Sequence, residues 1–337
     1  MGEWIRVVTD KDTKVTVHFS YSDDDSRSEI PDNIFTGLAP VTEKESTGAL
    51  LYGLGNDRRS MGLLTLKYNG ADVTENGYYE LDPQMKLVKK DDPAMAGYIK
   101  ERFAIPDNVV TIDESSVLIT DDRNRRWRLP LGESEFASLT RSGYLRICRE
   151  VATERDLFNC MGTFYELPAE NADGFAKIRP ISSHNFRIND YASYRGMLIM
   201  TGINPDLSEN NSHIIVSDDR KAAVWAGVID DLWKLGKTKG HGGPWKDSEV
   251  KAGEPSDPYL IGFYDRKELQ LSHKESYAVD FTVEADPTGN GTWMVIRKVS
   301  VAPGETYEYI FPENFSARWI RFSTEKNCKA TAWLVYK

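Results

Sequence analysis

Apolar and polar residues alternate in short runs along nearly the whole chain, and only one segment has the spacing of a helix. VTVHFSY (Val15 to Tyr21) alternates with period two, which puts successive side chains on opposite faces of a strand. ALLYGLGNDRRSMGLLTLKYNG holds two apolar runs around a Gly/Asn/Asp/Arg turn and predicts a hairpin. A helix is predicted over Ala94 to Phe103, bracketed by Pro93 and Pro106. NVVTIDESSVLITDDRNRRWRLPLG and GYLRICREVATERDLFNCMGTFYELPAENADG supply further short strands between polar turns, and SHIIVSDDRKAAVWAGVIDDLWKLG another hairpin. The glycine-rich segment Gly236 to Pro258 predicts a long loop. Beyond it LQLSH, YAVDFTVEAD, TWMVIRKVSV, TYEYIFP, ARWIRFSTE and KATAWLVYK form six β-runs with short turns.

The hairpins repeat. VLITDDRNRRWRL (Val117 to Leu129) and HIIVSDDRKAAVWAGV (His213 to Val228) share an apolar strand, Thr or Ser, Asp-Asp-Arg, and a Trp on the returning strand. Asp122 and Asp219 are 97 residues apart, two units of the ~45 to 50 residues usual for a four-stranded propeller blade. The expected fold is therefore all-β: a β-propeller of four-stranded antiparallel blades over residues 1–255. Residues 256–337 are expected to form antiparallel strands that make the last blade or a small sandwich.

Thr120, Asp122, Asn124 and Trp127 resemble the Asp-box hairpin, Ser-x-Asp-x-Gly-x-x-Trp, of sialidase-like β-propellers, with Asn in the glycine place. Ser217, Asp219 and Trp225 match it with one residue inserted. The resemblance implies architecture, the Asp tying the turn and the Trp packing between blades. In texture the chain also resembles the secreted propeller proteins with which polysaccharide-degrading bacteria attack glycans. That group includes glycoside hydrolases and polysaccharide lyases.

Charge narrows the partners. Asp plus Glu number 52 against 42 Lys plus Arg, a net charge of −10, and no basic run tracks a phosphate backbone, which argues against nucleic acid. A locally basic pocket for an acidic ligand stays compatible with that balance. No apolar stretch reaches the ~18 residues of a membrane span, and MGEWIRVV lacks a signal-peptide core. The expectation is a periplasmic or extracellular protein whose leader lies outside the sequence, with a cytoplasmic location open. Cys148, Cys160 and Cys328 show no zinc spacing; Cys148 and Cys160 lie on adjacent predicted strands, as free thiols or as a pair. No cofactor is expected, loop carboxylates leaving room for a structural calcium ion.

Candidate chemistry is densest in KIRPISSHNFRINDYASYRGMLIMTGI (Lys177 to Ile203). His184 is the candidate proton-transfer group and Tyr194 a second acid, because imidazole titrates near neutrality and elimination beside a uronic carboxylate needs a base. Arg187 and Arg195 are candidate clamps for a carboxylate, with Arg195 grouped among the catalytic candidates and Asn185 and Asp190 among the binding ones. Glu166, Glu150 or Asp190 offers a carboxylate for hydrolysis, and Tyr165 is a further substrate-binding candidate. His241, Trp245 and Lys246 in the glycine-rich segment are candidates for a lid, Trp245 stacking on a sugar face. Two functions follow: an enzyme cleaving glycosidic linkages in a complex, uronic-acid-containing glycan, or a non-catalytic propeller that binds carbohydrate or protein through the same face.

Overall fold

Neighbouring residues of one strand are buried on opposite sides of the same sheet through much of this computed structural model, and that pattern determines how the sheets stack. The structure describes residues 2–9, 15–22, 47–52, 60–69, 72–102, 110–121, 123–132, 148–152, 155–169, 172–184, 186, 188, 190–203 and 211–337. A two-stranded ribbon pairs β1 (Gly2–Thr9) with β2 (Val15–Ser22). A four-stranded meander follows: β3 (Thr47–Tyr52), β4 (Met61–Asn69), β5 (Asp72–Leu81) and β6 (Leu87–Lys90). Helix α1 (Pro93–Arg102) begins at its predicted proline, with Asp92 accepting the Met95 amide.

Strands β7 (Val110–Ile112), β8 (Val117–Thr120) and β9 (Arg126–Leu129) are followed by a second meander of β10 (Cys148–Ala152), β11 (Arg155–Cys160), β12 (Thr163–Pro168) and β13 (Arg179–Ser183). The third four-stranded sheet contains β14 (Tyr191–Tyr194), β15 (Met197–Met200), β16 (Ile214–Val216) and β17 (Ala223–Gly227), with β17 lying between β15 and β16.

These sheets are buried on both faces, which is why runs such as MLIM read as continuously apolar. Leu157, Phe164 and Ile181 meet Tyr191, Leu198 and Trp225 in one core. Ile199, Val224 and Tyr194, from the other face of that sheet, meet Leu51, Leu63 and Tyr79 in the next. Leu64 and Tyr78 then cover the helix residues Ala96 and Ile99. The three four-stranded sheets and the helix are thus stacked layers. The all-β expectation stands, but among the described residues the layers do not close into a propeller ring.

The C-terminal part is a β-sandwich. One sheet orders β18 (Gly240–Val250), β25 (Cys328–Tyr336), β20 (Lys267–His273) and β23 (Thr306–Ile310). The other orders β22 (Met294–Val301), β21 (Val279–Asp286), β24 (Trp319–Thr324) and β19 (Tyr259–Leu260), and continues through β9, β8 and β7. All six predicted C-terminal runs are strands. The predicted loop Gly236 to Pro258 is not one continuous loop: its central 11 residues are β18. Its glycines mark close approach, since a Cβ on Gly243 would overlap the Ala332 carbonyl where the register with β25 shifts.

The Asp-box resemblance also needs correction. In the β8–β9 turn Asp121 Oδ1 accepts the Arg123 and Arg125 amides at 3.0 and 2.8 Å, and its Oδ2 accepts the Trp127 indole N–H at 3.2 Å. The tying carboxylate is one residue earlier than expected, and Asp122 lies outside the described residues. Asn124 does take the left-handed conformation, φ 58°, as the glycine place requires. In the second hairpin Ser217 donates to Asp219 at 2.7 Å, and Trp225 is buried between two sheets as expected.

Candidate functional site

Two hollows lie where the β10–β13 sheet meets the sandwich. The smaller, about 130 Å³, gathers two predicted residues, His184 and His241, with Lys239, Thr163 and Ser183. His184 follows β13 and is buried. Its Nδ1 accepts the Phe186 amide at 3.3 Å, which leaves Nε2 to donate to Asn159 Oδ1 at 3.2 Å. Burial pushes the imidazole pKa down to about 3, so it is neutral at pH 7. His241 sits in β18, bridged to Leu131 and 5.9 Å from the Trp333 ring.

The other predicted residues are dispersed. Tyr194 is buried between the sheets of β3–β6 and β14–β17, and Tyr165 in the core against Phe158. Arg195 is exposed in the β14–β15 turn at φ 51°. Asp190 is buried, its Oδ2 accepting the Leu51 amide at 2.6 Å and its Oδ1 the Tyr191 amide at 2.9 Å. Trp245 is buried against Phe322, and exposed Lys246 stands 3.7 Å from Glu114 and over Trp333. The lid expectation for His241, Trp245 and Lys246 gives way to a strand: Trp245 is buried in the sandwich core, while His241 and Lys246 both lie against Trp333 on the other face of the paired sheet. Asn185 and Arg187 fall outside the described residues, as does the Glu150 side chain. Cys160 is a buried free thiol and forms no disulfide with Cys148.

The larger hollow, about 430 Å³, was not predicted. Arg179 reaches it from the start of β13, Trp233 from the 3-10 helix Ile229–Lys234, Phe263 from the turn after β19, Lys267 from the start of β20 and Arg318 from just before β24. Two of the aromatic rings lining it are faced by a guanidinium: Arg179 lies 5.5 Å from the Trp233 centroid and Arg318 5.0 Å from that of Phe263. Glu166 does not line the hollow but holds Arg179 from behind, accepting from its Nε at 3.0 Å. Arg318 donates to the Ile178 carbonyl at 3.0 Å and to that of Lys177, tying the sandwich to the β10–β13 sheet. Burial and the neighbouring Arg179 charge lower its pKa.

Phe263 is 48% exposed and holds φ 69°, a conformation that strains a bulky residue. Such strain persists only where the surroundings over-determine it. Here the Ile261 and Gly262 amides both donate to the Arg318 carbonyl, at 3.0 and 3.1 Å, and Thr238 donates to that of Phe263 at 2.9 Å. The turn is thereby pinned with an aromatic face turned outward.

No protein-family model and no curated protein matches the chain. The remote structural likenesses include glycoside hydrolases. An exo-β-1,3-galactanase from Phanerochaete chrysosporium is 8% identical at TM-score 0.20, over 82% of this chain and 75% of that one. A glycoside hydrolase family 43 arabinoxylan arabinofuranohydrolase from Bacillus subtilis is 9% identical at TM-score 0.19, over 89% and 80%. Tripeptidyl peptidase 2 is 11% identical at TM-score 0.23 over 87% of this chain, which spans 20% of that protein's length. Likenesses this distant decide neither family nor chemistry, and the site rests on its own residues.

Two carboxylates, Asp265 and Glu313, line the same hollow, Asp265 standing 3.9 Å from Lys237. Among the described residues no group of three or more His, Cys, Asp or Glu side chains could hold a metal ion, and no helix is long and apolar enough to cross a membrane. None of the hollow's lining residues was a predicted candidate; Glu166, bonded to Arg179, is the predicted residue next to it. Arg179 opens the stretch densest in candidates, but Trp233, Phe263, Lys267 and Arg318 carry no linear signal, since only the docking of sheet and sandwich unites them.

Proposed function

We propose that this chain is a glycan-directed protein that takes sugar rings into the larger hollow, with binding as its primary act. The observation that carries the reading is the pairing of an exposed Phe263 and a half-buried Trp233, both lining the hollow, with the guanidinium groups of Arg318 and Arg179. A pyranose presents an apolar C–H face and a rim of hydroxyls, so it gains from an aromatic platform beside fixed donors. The volume, about 430 Å³, suits one or two rings of a longer chain.

Cleavage is the second reading, favoured by Asp265 and Glu313 lining the same hollow, since glycoside hydrolysis runs on paired carboxylates. Elimination through His184 has less support, because its acceptor nitrogen already takes the Phe186 amide. In this proposal His184 positions the segment after β13 and moves no proton.

A panel of plant and algal polysaccharides tests the reading by calorimetry, reducing-end release and absorbance of unsaturated uronides. Binding that is lost in Trp233→Ala supports it. Reducing ends alone assign hydrolysis, reducing ends with absorbance assign elimination, and a panel without binding or product contradicts the proposal.

A further inference from the structure

The start of β20 holds a largely buried lysine that lines the larger hollow without a direct partner. Lys267 is 6% exposed and lines the larger hollow. Among the described residues its ammonium makes no hydrogen bond or ion pair; Asp265, also lining the hollow, acts on it through space alone and is largely exposed. Its backbone is fixed, pairing with Tyr336 in β25 while its carbonyl accepts the Phe311 amide at 3.0 Å. Nearly every buried lysine in a folded protein is paired, since an uncompensated buried charge is costly. Burial accordingly lowers the Lys267 pKa.

We propose that Lys267 is the counter-charge for one anionic substituent, carboxylate or sulfate, on the sugar that occupies the hollow, with Arg318 flanking it. This rests on the glycan reading above and names its substrate class. Of the three cations lining the hollow Arg179 is already neutralised by Glu166, and Arg318 spends one nitrogen on backbone carbonyls, which leaves Lys267 as the charge most in need of a partner. The carboxylates of Asp265 and Glu313 also line the hollow. They admit a single buried anion and repel a polyanion laid across the mouth, so the ligand is a sugar bearing isolated acidic groups.

The test titrates the full chain by calorimetry with a uronic-acid oligosaccharide, its carboxyl-reduced counterpart and a sulfated counterpart, comparing wild type with Lys267→Met. The acidic oligosaccharide should bind wild type about tenfold or more tighter than the reduced one. Lys267→Met should abolish that preference, binding the acidic oligosaccharide no tighter than the reduced one, and its ligand-free melting temperature should match or exceed that of wild type. The uronate and sulfate arms decide which anion is preferred. Equal binding of acidic and reduced sugars, or a preference that survives Lys267→Met, overturns this inference and leaves the glycan reading standing. Binding of neither sugar removes the glycan reading. In that event inorganic sulfate and free glucuronate test the cation itself: a rise in melting temperature lost in Lys267→Met supports an anion site, and no rise overturns it.

Discussion

The Arg318 guanidinium stands 5.0 Å from the Phe263 ring centroid while its Nη1 donates to the Ile178 carbonyl, so one side chain joins sheet, sandwich and aromatic platform. Phe263 bears the cost in its backbone at φ 69°. Replacing it by Ala or by Gly should weaken glycan binding equally, by about tenfold, because both remove the ring. Stability should separate them: Phe263→Gly should be about 1 kcal/mol more stable than Phe263→Ala by urea denaturation, since only glycine accepts that φ without strain. Equal stabilities would remove strain from the account of this turn.

Asp190 should matter to folding instead of to ligand. Its carboxylate accepts the Leu51 and Tyr191 amides and so joins two stacked sheets. Asp190→Ala should cost roughly 2–3 kcal/mol, the penalty for orphaned buried donors, and glycan affinity of the folded fraction should be unchanged. A stable variant with lost binding would instead place Asp190 at the ligand.

Acid should destabilise the protein in two stages. His184 has its pKa lowered from 6.5 to about 3 by burial, so below pH 6.5 the unfolded chain takes up a proton that the folded one refuses. Stability is lost from that pH down to about 3. Asp113 has its pKa lowered from 3.8 to about 2: burial alone would raise it, but bonds from Ser115 and Arg128 outweigh that effect. Its contribution is present above 3.8 and lost as pH falls towards 2. Denaturation of His184→Gln across this range should show a shallower loss between pH 6.5 and about 3 and an unchanged one below. An unaltered slope in the upper window would refute the burial argument.

Cys160 should be inert in the folded state, its thiol pKa pushed up to about 12 by burial. Mass spectrometry after treatment with a thiol reagent should find Cys160 and the buried Cys328 unlabelled until denaturant is added. Rapid native labelling of Cys160 would contradict its placement between β11 and the sandwich core.

What the sequence made legible follows the range of the forces involved. The strands, α1 and the six C-terminal runs are local matters of alternation and turn chemistry, and they appear where expected. Asn124 was legible for the same reason, a turn demanding positive φ. The segment around Gly243 misled because a glycine that lets a neighbouring strand approach looks, in sequence, like a loop glycine. His184 misled differently: crowding by polar neighbours along the chain says nothing about burial, and its nitrogens serve Asn159 and the Phe186 amide. The larger hollow was illegible because Arg179 and Arg318 meet only through the docking of a sheet on a sandwich. Tyr165 and Tyr194 show the same limit, each being a core residue that a polar tip makes look like a site.

The most direct test of the glycan reading is a crystal structure of the full chain soaked with an acidic oligosaccharide. A pyranose stacked on Trp233 or Phe263, with its anionic group on Lys267, is the predicted result. Sugar bound only elsewhere, with the larger hollow unchanged, would contradict the account.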